Sequence, residues 1–278
     1  MAKIIGTVCM SHVPAIGGAI AKGLQQDPYW APFFDGFPPV REWLAREKPD
    51  VAVVVYNDHG LNFFLDKMPT FAVGAAPSYS NADEGWGIPV VPPIQGYPEL
   101  SWHLINGLVG DEFDPVTCQE MAVDHAFTLP MALLYPDQKW PVKTVPVVVN
   151  TVQAPIPSSS RCYKLGQSLR KAIESWPGDE KVVVLGTGGL SHQLDGERAG
   201  FINKDFDVKF LESMVSDPAF ATQFNTYDLV ELAGTQGVEL LNWMVARGTL
   251  PPKAAQLHCT YHIPISNTAA AVQALVPA

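Results

Sequence analysis

The stretch that most constrains this chain is VAVVVYNDHG, residues 51–60. Five β-branched or alanine residues run together and end in a polar cluster. An unbroken apolar run of this length is the pattern of a strand buried on both faces, in contrast to the alternation of a half-exposed strand. Such a strand needs a layer packed on each side. In an open α/β sheet, ligands sit beyond the carboxyl ends of the strands, which here puts Asn57, Asp58 and His59 at the site.

Other segments repeat the theme. Lys3–Cys9 (KIIGTVC) reads as a short buried strand ending at Ser11-His12-Val13-Pro14. Pro14 excludes helical geometry at Val13, so His12 falls in a turn. Lys181–Leu185 (KVVVL) is a strand running into Gly186-Thr187-Gly188-Gly189-Leu190-Ser191-His192, and 142–150 (VKTVPVVVN) is another, with Pro146 suggesting a bulge or an edge. Helices are predicted over 40–47, 99–109, 205–215 and 236–247. A further helix follows the caps Ser158–Ser160, with Leu165, Leu169, Ile173 and Trp176 forming one apolar stripe. Residues 26–39 read as an ordered loop carrying exposed rings, and 75–98 as a long loop centred on Asp83-Glu84-Gly85-Trp86-Gly87. His258–Ile263 alternates like a strand and stops at Pro264, and Ser266-Asn267-Thr268 precedes a small-residue tail. Strands and helices alternate without an internal repeat or linker. The expectation is one α/β domain over 1–278, layered, with a mostly parallel or mixed central sheet flanked by helices.

Composition narrows the function. The chain has 278 residues, 47 % apolar and 17 % charged, with a formal net charge of −10. The absence of a basic block argues against nucleic acid or an anionic membrane as partner. The four cysteines form no C-x-x-C pair, which speaks against a zinc knuckle or a thioredoxin-type site. The first residues lack the apolar region of a signal peptide, and no apolar run reaches the roughly 20 residues of a membrane span; a cytoplasmic enzyme or binding protein is expected.

Three predicted strands end in a histidine-bearing turn: His12, His59 and His192. A lone histidine in a turn is more often structural or solvated, but three at one end of a sheet is how α/β enzymes assemble a site. The fourth candidate is Glu239, in the nearly apolar segment GVELLNWMV. A buried carboxylate is costly unless it binds a metal or accepts strong hydrogen bonds; the plainer alternative is a carboxylate at the edge of the stripe, paired with Arg or Lys. Two histidines and a carboxylate suit non-haem iron(II) with open positions, and equally a catalytic zinc. His103 reads as structural, and no G-x-S-x-G elbow makes Ser11 or Ser191 a nucleophile. The glycine-rich turn at 186–189 lacks the lysine of a P-loop and suggests close backbone approach to substrate or metal.

Seven motifs fall in the order found in class III extradiol ring-cleaving dioxygenases: Ser11–Pro14, Tyr56–His59, Ala82–Gly87, Val123–His125, Gly186–Gln193, Gly237–Leu240 and Ser266–Thr268. The chain resembles that family from Lys3 to about Ala270, most closely the catalytic β subunits of protocatechuate 4,5-dioxygenases, and is similar to the gallate enzymes. The resemblance implies Fe(II) held by His12, His59 and Glu239, with His192 as the acid/base residue and His125 also in the catalytic pocket. It implies Ser266 and Asn267 as binders of the substrate carboxylate, with Asn57 and Asp58 orienting His59. It further implies O2 and a dihydroxybenzoate-type substrate, protocatechuate foremost, with gallate or 3-O-methylgallate as the alternative. A zinc-dependent hydrolase and a non-catalytic partner subunit are the readings from other classes. A separate small α subunit covering the site, in an α2β2-type assembly, is also expected, with Tyr29, Trp30, Phe33, Phe34 and the loop around Trp86 as candidate contacts.

Overall fold

The computed structural model describes residues 1–85, 94–137 and 139–278. In chain order the elements are β1 (Lys3–Met10), α1 (Pro14–Ala21), α2 (Ala31–Phe34), α3 (Pro38–Glu47), β2 (Val51–Tyr56), β3 (Phe71–Gly74), β4 (Ser78–Asn81), β5 (Ile94–Gln95), α4 (Pro98–Gly110), β6 (Val116–Cys118), β7 (Ala122–Val123), α5 (His125–Leu134), β8 (Lys143–Val149), α6 (Ser159–Ser175), β9 (Lys181–Thr187), α7 (Lys204–Ser216), α8 (Thr226–Ala233), α9 (Leu240–Gly248), β10 (Ala254–Ile265) and β11 (Thr268–Pro277). The main sheet runs β10-β11-β1-β9-β2-β8-β3-β6, and a small one runs β5-β4-β7. The four central strands β1, β9, β2 and β8 are mutually parallel, and β3, β11 and β10 add antiparallel pairings at the flanks. This is the layered, mixed-sheet α/β fold the sequence predicts.

β2 shows why. Val51, Val53 and Val55 join the core beneath α4, α6, α7 and α9. Ala52, Val54 and Tyr56 join the opposite core beneath α1, α2, α3 and α5. Both faces of the strand are in apolar layers, so no polar position interrupts the run. The Ser158 cap behaves as the sequence suggests, accepting from the Arg161 amide at 3.2 Å; Asp124 caps α5 in the same way, accepting from the Ala126 amide. α6 crosses α9 at small residues. A Cβ on Gly166 would stand 2.1 Å from the Val245 carbonyl oxygen and 2.8 Å from the Gly248 Cα.

Several expectations are corrected. Residues 26–39 are not a loop of exposed rings: Phe33 and Phe34 are 3 % and 6 % exposed. They pack on one another and on Phe37, because α2 and the start of α3 fold them into the core under the sheet. Tyr29 keeps 49 % exposure, and Trp86 lies outside the described residues. Pro146 marks neither an edge nor a bulge. It sits in an interior strand opposite Val54, and the β3 ladder on its other side covers Val147–Val149 alone. β10 continues through Pro264 to Ile265; it is an edge strand of the sheet, where a missing donor is tolerated. The small-residue tail is the buried strand β11, and α8 lies in a stretch that carried no prediction. Ser266 and Asn267 both take positive φ, 49° and 62°. They form the two-residue turn between Ile265 and Thr268 that joins β10 to β11.

Replacing Gly166 by Ala should force the α6–α9 crossing apart. The expected cost is about 1–3 kcal/mol, read as a lower Tm without loss of any residue at the strand ends.

Candidate metal centre and catalytic cleft

The carboxyl ends of the four parallel strands meet at one place. β1 delivers His12, β9 delivers His192, β2 delivers Asn57 and His59, and β8 delivers Thr151. Glu239 comes from the turn Gly237–Glu239 that opens α9. Its Oε1 stands 3.3 Å from His12 Nε2 and 3.6 Å from His59 Nε2. Ligand atoms about 2.1 Å from one ion stand roughly 3–3.4 Å apart, so the spacing fits a shared metal.

The protons fit too. The Thr187 hydroxyl donates to the Ala126 carbonyl at 2.8 Å, so towards His12 Nδ1, 3.1 Å away, it is an acceptor. His12 therefore carries a proton on Nδ1 and turns Nε2 towards Glu239. His59 Nδ1 faces an oxygen of Asp124 at 3.0 Å, which again turns Nε2 inward. Three donor-set atoms from three distant segments thus converge with the outer nitrogen of each imidazole already committed, which is the arrangement a bound cation requires.

The surroundings hold Glu239 in place. Its Oε2 accepts the Gly189 amide at 2.8 Å, and its Oε1 accepts Asn57 Nδ2 at 3.1 Å. Asn57 is itself oriented by Asn242, whose Nδ2 donates to the Asn57 Oδ1 at 3.0 Å. The glycine turn approaches Glu239 directly: a Cβ on Gly188, at φ +121°, would lie 2.6 Å from the Glu239 Cβ. Close backbone approach is correct for this turn, and what it approaches is the carboxylate.

Asp58 does not orient His59. Its carboxylate takes the backbone amides of Leu61, Asn62 and Phe63 and the Asn62 side chain, and so shapes the turn after His59. The carboxylate on the His59 ring is Asp124, which also accepts the His59 backbone amide at 2.8 Å, while Asn57 is in place as expected, its Nδ2 3.1 Å from His59 Nε2. A buried acid next to His125 in the sequence was the available signal, but its partner is 65 residues away.

His192 donates from Nδ1 to the Leu190 carbonyl at 2.8 Å, so its neutral form presents the Nε2 lone pair, 3.9 Å from Glu239 Oε2. Buried Asp207 fixes this turn. It accepts the Ser191 amide at 2.9 Å and the Ser191 hydroxyl at 2.6 Å. His125 packs on His59 at 4.3 Å between ring centroids. A cleft of about 460 Å³ opens over these groups, and its lining includes Ser266, Thr268, Gln236 and Thr151. Asn267, the neighbour of Ser266, is not among its lining residues. His103 binds Ala172 and Ser175 on the far side of the molecule. A larger groove of about 1020 Å³ along α6 has no histidine in its lining, and its Lys171 and Arg170 are paired with Asp111 and Glu174.

A family model described as the catalytic LigB subunit of aromatic ring-opening dioxygenase matches residues 6–273. The chain belongs to that family. It is 44 % identical over 184 residues to a gallate dioxygenase of Pseudomonas putida, a match covering 66 % of this chain and 54 % of the relative. It is 31 % identical over 187 residues to a 2,3-dihydroxyphenylpropionate/2,3-dihydroxicinnamic acid 1,2-dioxygenase of Photorhabdus laumondii, covering 66 % of this chain and 55 % of that one. The chain thus spans about half the length of the curated relatives it matches. An uncharacterized protein of Escherichia coli K12 shares the fold, with a TM-score of 0.60 at 12 % identity over 97 % of this chain and 99 % of the other. Family membership implies a metal at the site. No helix among the described residues is long and apolar enough to cross a membrane.

The charges at the centre lean on one another. Burial alone would raise the Glu239 carboxyl, but His12 and His59 outweigh it and hold it well below the usual carboxylate range. Burial likewise opposes a charge on His59, but Asp124 and Glu239 prevail and hold the metal-free imidazole up at about 10, against an ordinary 6.5. His125 goes the other way, pushed down by burial against the pull of Glu84. A raised His59 contributes stability that is complete below 6.5 and lost as the pH climbs through about 10. The depressed carboxyls of Glu239 and Asp124 contribute stability that is lost on the acid side. The metal-free chain is therefore expected to lose Tm between neutral pH and about 10, and His59→Ala should flatten that limb. An unchanged slope in the variant would remove His59 as its cause.

Proposed function

We propose that this chain catalyses extradiol cleavage of a catecholic acid, using iron(II) held by His12, His59 and Glu239. The observation that carries the reading is the convergence of His12 Nε2 and His59 Nε2 on Glu239 Oε1, at 3.3 and 3.6 Å, at the ends of parallel strands, beside His192, whose Nε2 faces the same carboxylate. Gallate or 3-O-methylgallate is the preferred substrate. The 44 % identity to a gallate dioxygenase backs it better than the protocatechuate expected from the motifs alone. Family membership also favours dioxygen chemistry over the zinc hydrolysis that the same ligands would suit.

When bound, iron(II) supplies open positions at which the two hydroxyls of a catechol and O2 are brought together. The chain's own residues do the rest. His12 and His59 enter with their outer nitrogens committed to Thr187 and Asp124, so their inner nitrogens need no reorientation. Glu239 is held by the Gly189 amide and by Asn57, which keeps the carboxylate aimed once it shares its charge. His192 takes a proton at Nε2 from a substrate hydroxyl and returns it after ring opening, its Nδ1 remaining on the Leu190 carbonyl throughout. Ser266, Thr268 and Gln236 offer neutral donors to the substrate carboxylate. Among the described residues the lining contains no lysine or arginine.

The cleft is open to solvent, and Val152 and Leu194 on its lining are 50 % and 55 % exposed. This apolar rim supports a small partner subunit as its cover, in an α2β2-type assembly. A monodisperse, fully active preparation of this chain alone would refute that part.

The test is anaerobic iron reconstitution followed by mixing with gallate and with protocatechuate in air, monitoring O2 uptake and the ring-opened product. Gallate should turn over faster, and no product from any catechol would sink the reading. His59→Ala should abolish iron binding. His192→Ala should still bind substrate, with turnover reduced roughly 10²–10⁴-fold; near-normal turnover would remove His192 as the base.

A further inference from the structure

Glu84 is a carboxylate near the cleft with no part in the cluster around Glu239, yet it makes a two-point clasp. One oxygen, Oε2, accepts the backbone amide of His125 at 2.8 Å. The other, Oε1, lies 2.9 Å from His125 Nδ1. Its own segment is tied down just before it, where the Ala82 amide donates to the Val123 carbonyl at 3.0 Å. Glu84 therefore reaches His125 from a fixed base. The backbone amide anchors one oxygen, and the second oxygen then falls beside Nδ1. A carboxylate can only accept. Nδ1 must therefore carry the proton, and Nε2 becomes the acceptor atom of a ring that lines the cleft.

Oxygen and nitrogen atoms of Glu84, Asp124 and His125 also lie close enough together to hold an ion. Their hydrogen bonds account for them without one. Glu84 is taken by His125, while Asp124 is taken by His59 and by the Ala126 amide. The arrangement is a chain of positioning contacts. Asp124 sets the tautomer of His59, and Glu84 does the same for the ring stacked on it, with centroids 4.3 Å apart and planes 32° from parallel.

We propose that Glu84 is a positioning residue that fixes His125 as the Nδ1–H tautomer, so that His125 meets the substrate as a hydrogen-bond acceptor. The tautomer assignment stands on the geometry alone; its effect on turnover rests on the ring-cleavage reading above. Glu84→Gln separates the two. With its one acceptor oxygen on the backbone amide, where Oε2 now stands at 2.8 Å, the amide places its NH2 where Oε1 stands 2.9 Å from Nδ1, closer than the 3.2 Å of Oε2. If its NH2 turns towards Nδ1, the ring proton must move to Nε2 and His125 becomes a donor into the cleft. Glu84→Asp keeps both acceptors on a shorter arm and should restore part of what the amide loses.

The first readout needs no turnover. In metal-free protein, 15N shifts of the His125 ring, assigned with a His125→Gln spectrum, should report Nδ1–H in the parent chain, its loss in Glu84→Gln and its return in Glu84→Asp. The second is a double-mutant cycle on kcat/KM with the iron-loaded enzyme. Glu84→Gln alone should cost about 10–100-fold, and should cost nothing further in a His125→Ala background. An unchanged tautomer in Glu84→Gln, or an additive loss on top of His125→Ala, overturns the proposal. A tautomer that responds as stated in a chain that opens no catechol would instead overturn the ring-cleavage reading and leave the positioning of His125 standing.

Discussion

Glu239 is the group on which the rest depends. It is a carboxylate at the head of an otherwise apolar helix, set against the ends of a buried sheet. Left unpaired there, it would destabilise the fold by several kcal/mol. The structure answers it with an amide from the glycine turn, the Asn57 side chain and two imidazoles whose Nε2 atoms face it, His59 carrying its proton in the metal-free chain. The answers come from three strand ends, so the site forms only when β1, β2 and β9 lie in register with α9 behind them. Gly188 belongs to the same constraint, since any side chain there would occupy the space of the carboxylate. Fold and site are therefore one problem: the arrangement that neutralises Glu239 is also the one that can hold a metal.

The parts legible in the sequence were those carried by local pattern. An apolar run such as 51–55 reports burial on both faces directly, and a histidine just past its end inherits a position from the strand. His12, His59 and His192 were readable for that reason, and Glu239 because a charge in an apolar helix is conspicuous. The misses share a different cause. Asp58 adjoins His59 and so suggested itself as the orienting group, whereas Asp124 takes that place through a contact across the sheet end that no spacing encodes. β11 went unread because a run of alanines has weak strand propensity, and pairing with β1 and β10 makes it a strand. Phe33 and Phe34 looked exposed because a proline-rich segment resembles a surface loop until its packing is known.

The comparisons and the geometry bear on different levels. The likeness at 12 % identity establishes the fold and nothing about chemistry. The family match places the chain among ring-opening dioxygenase subunits, and the tautomers of His12, His59 and His192 explain how such a subunit prepares its site before a metal arrives. Their outer nitrogens are spoken for by Thr187, Asp124 and the Leu190 carbonyl. Loading the site then requires loss of the His59 proton and little movement.

The end of β8 stands apart. Three of the four parallel strands finish in a histidine of the cluster around Glu239, and any change there disturbs several hydrogen bonds at once. The fourth finishes in Thr151 and Val152, which line the same cleft but are bound to none of those groups. Mutations at that corner can reshape what fits over the centre without altering how the centre is built. The fold thus keeps one strand end over the cleft apart from the three that build the cluster, so shape above the site and assembly of the site are separable.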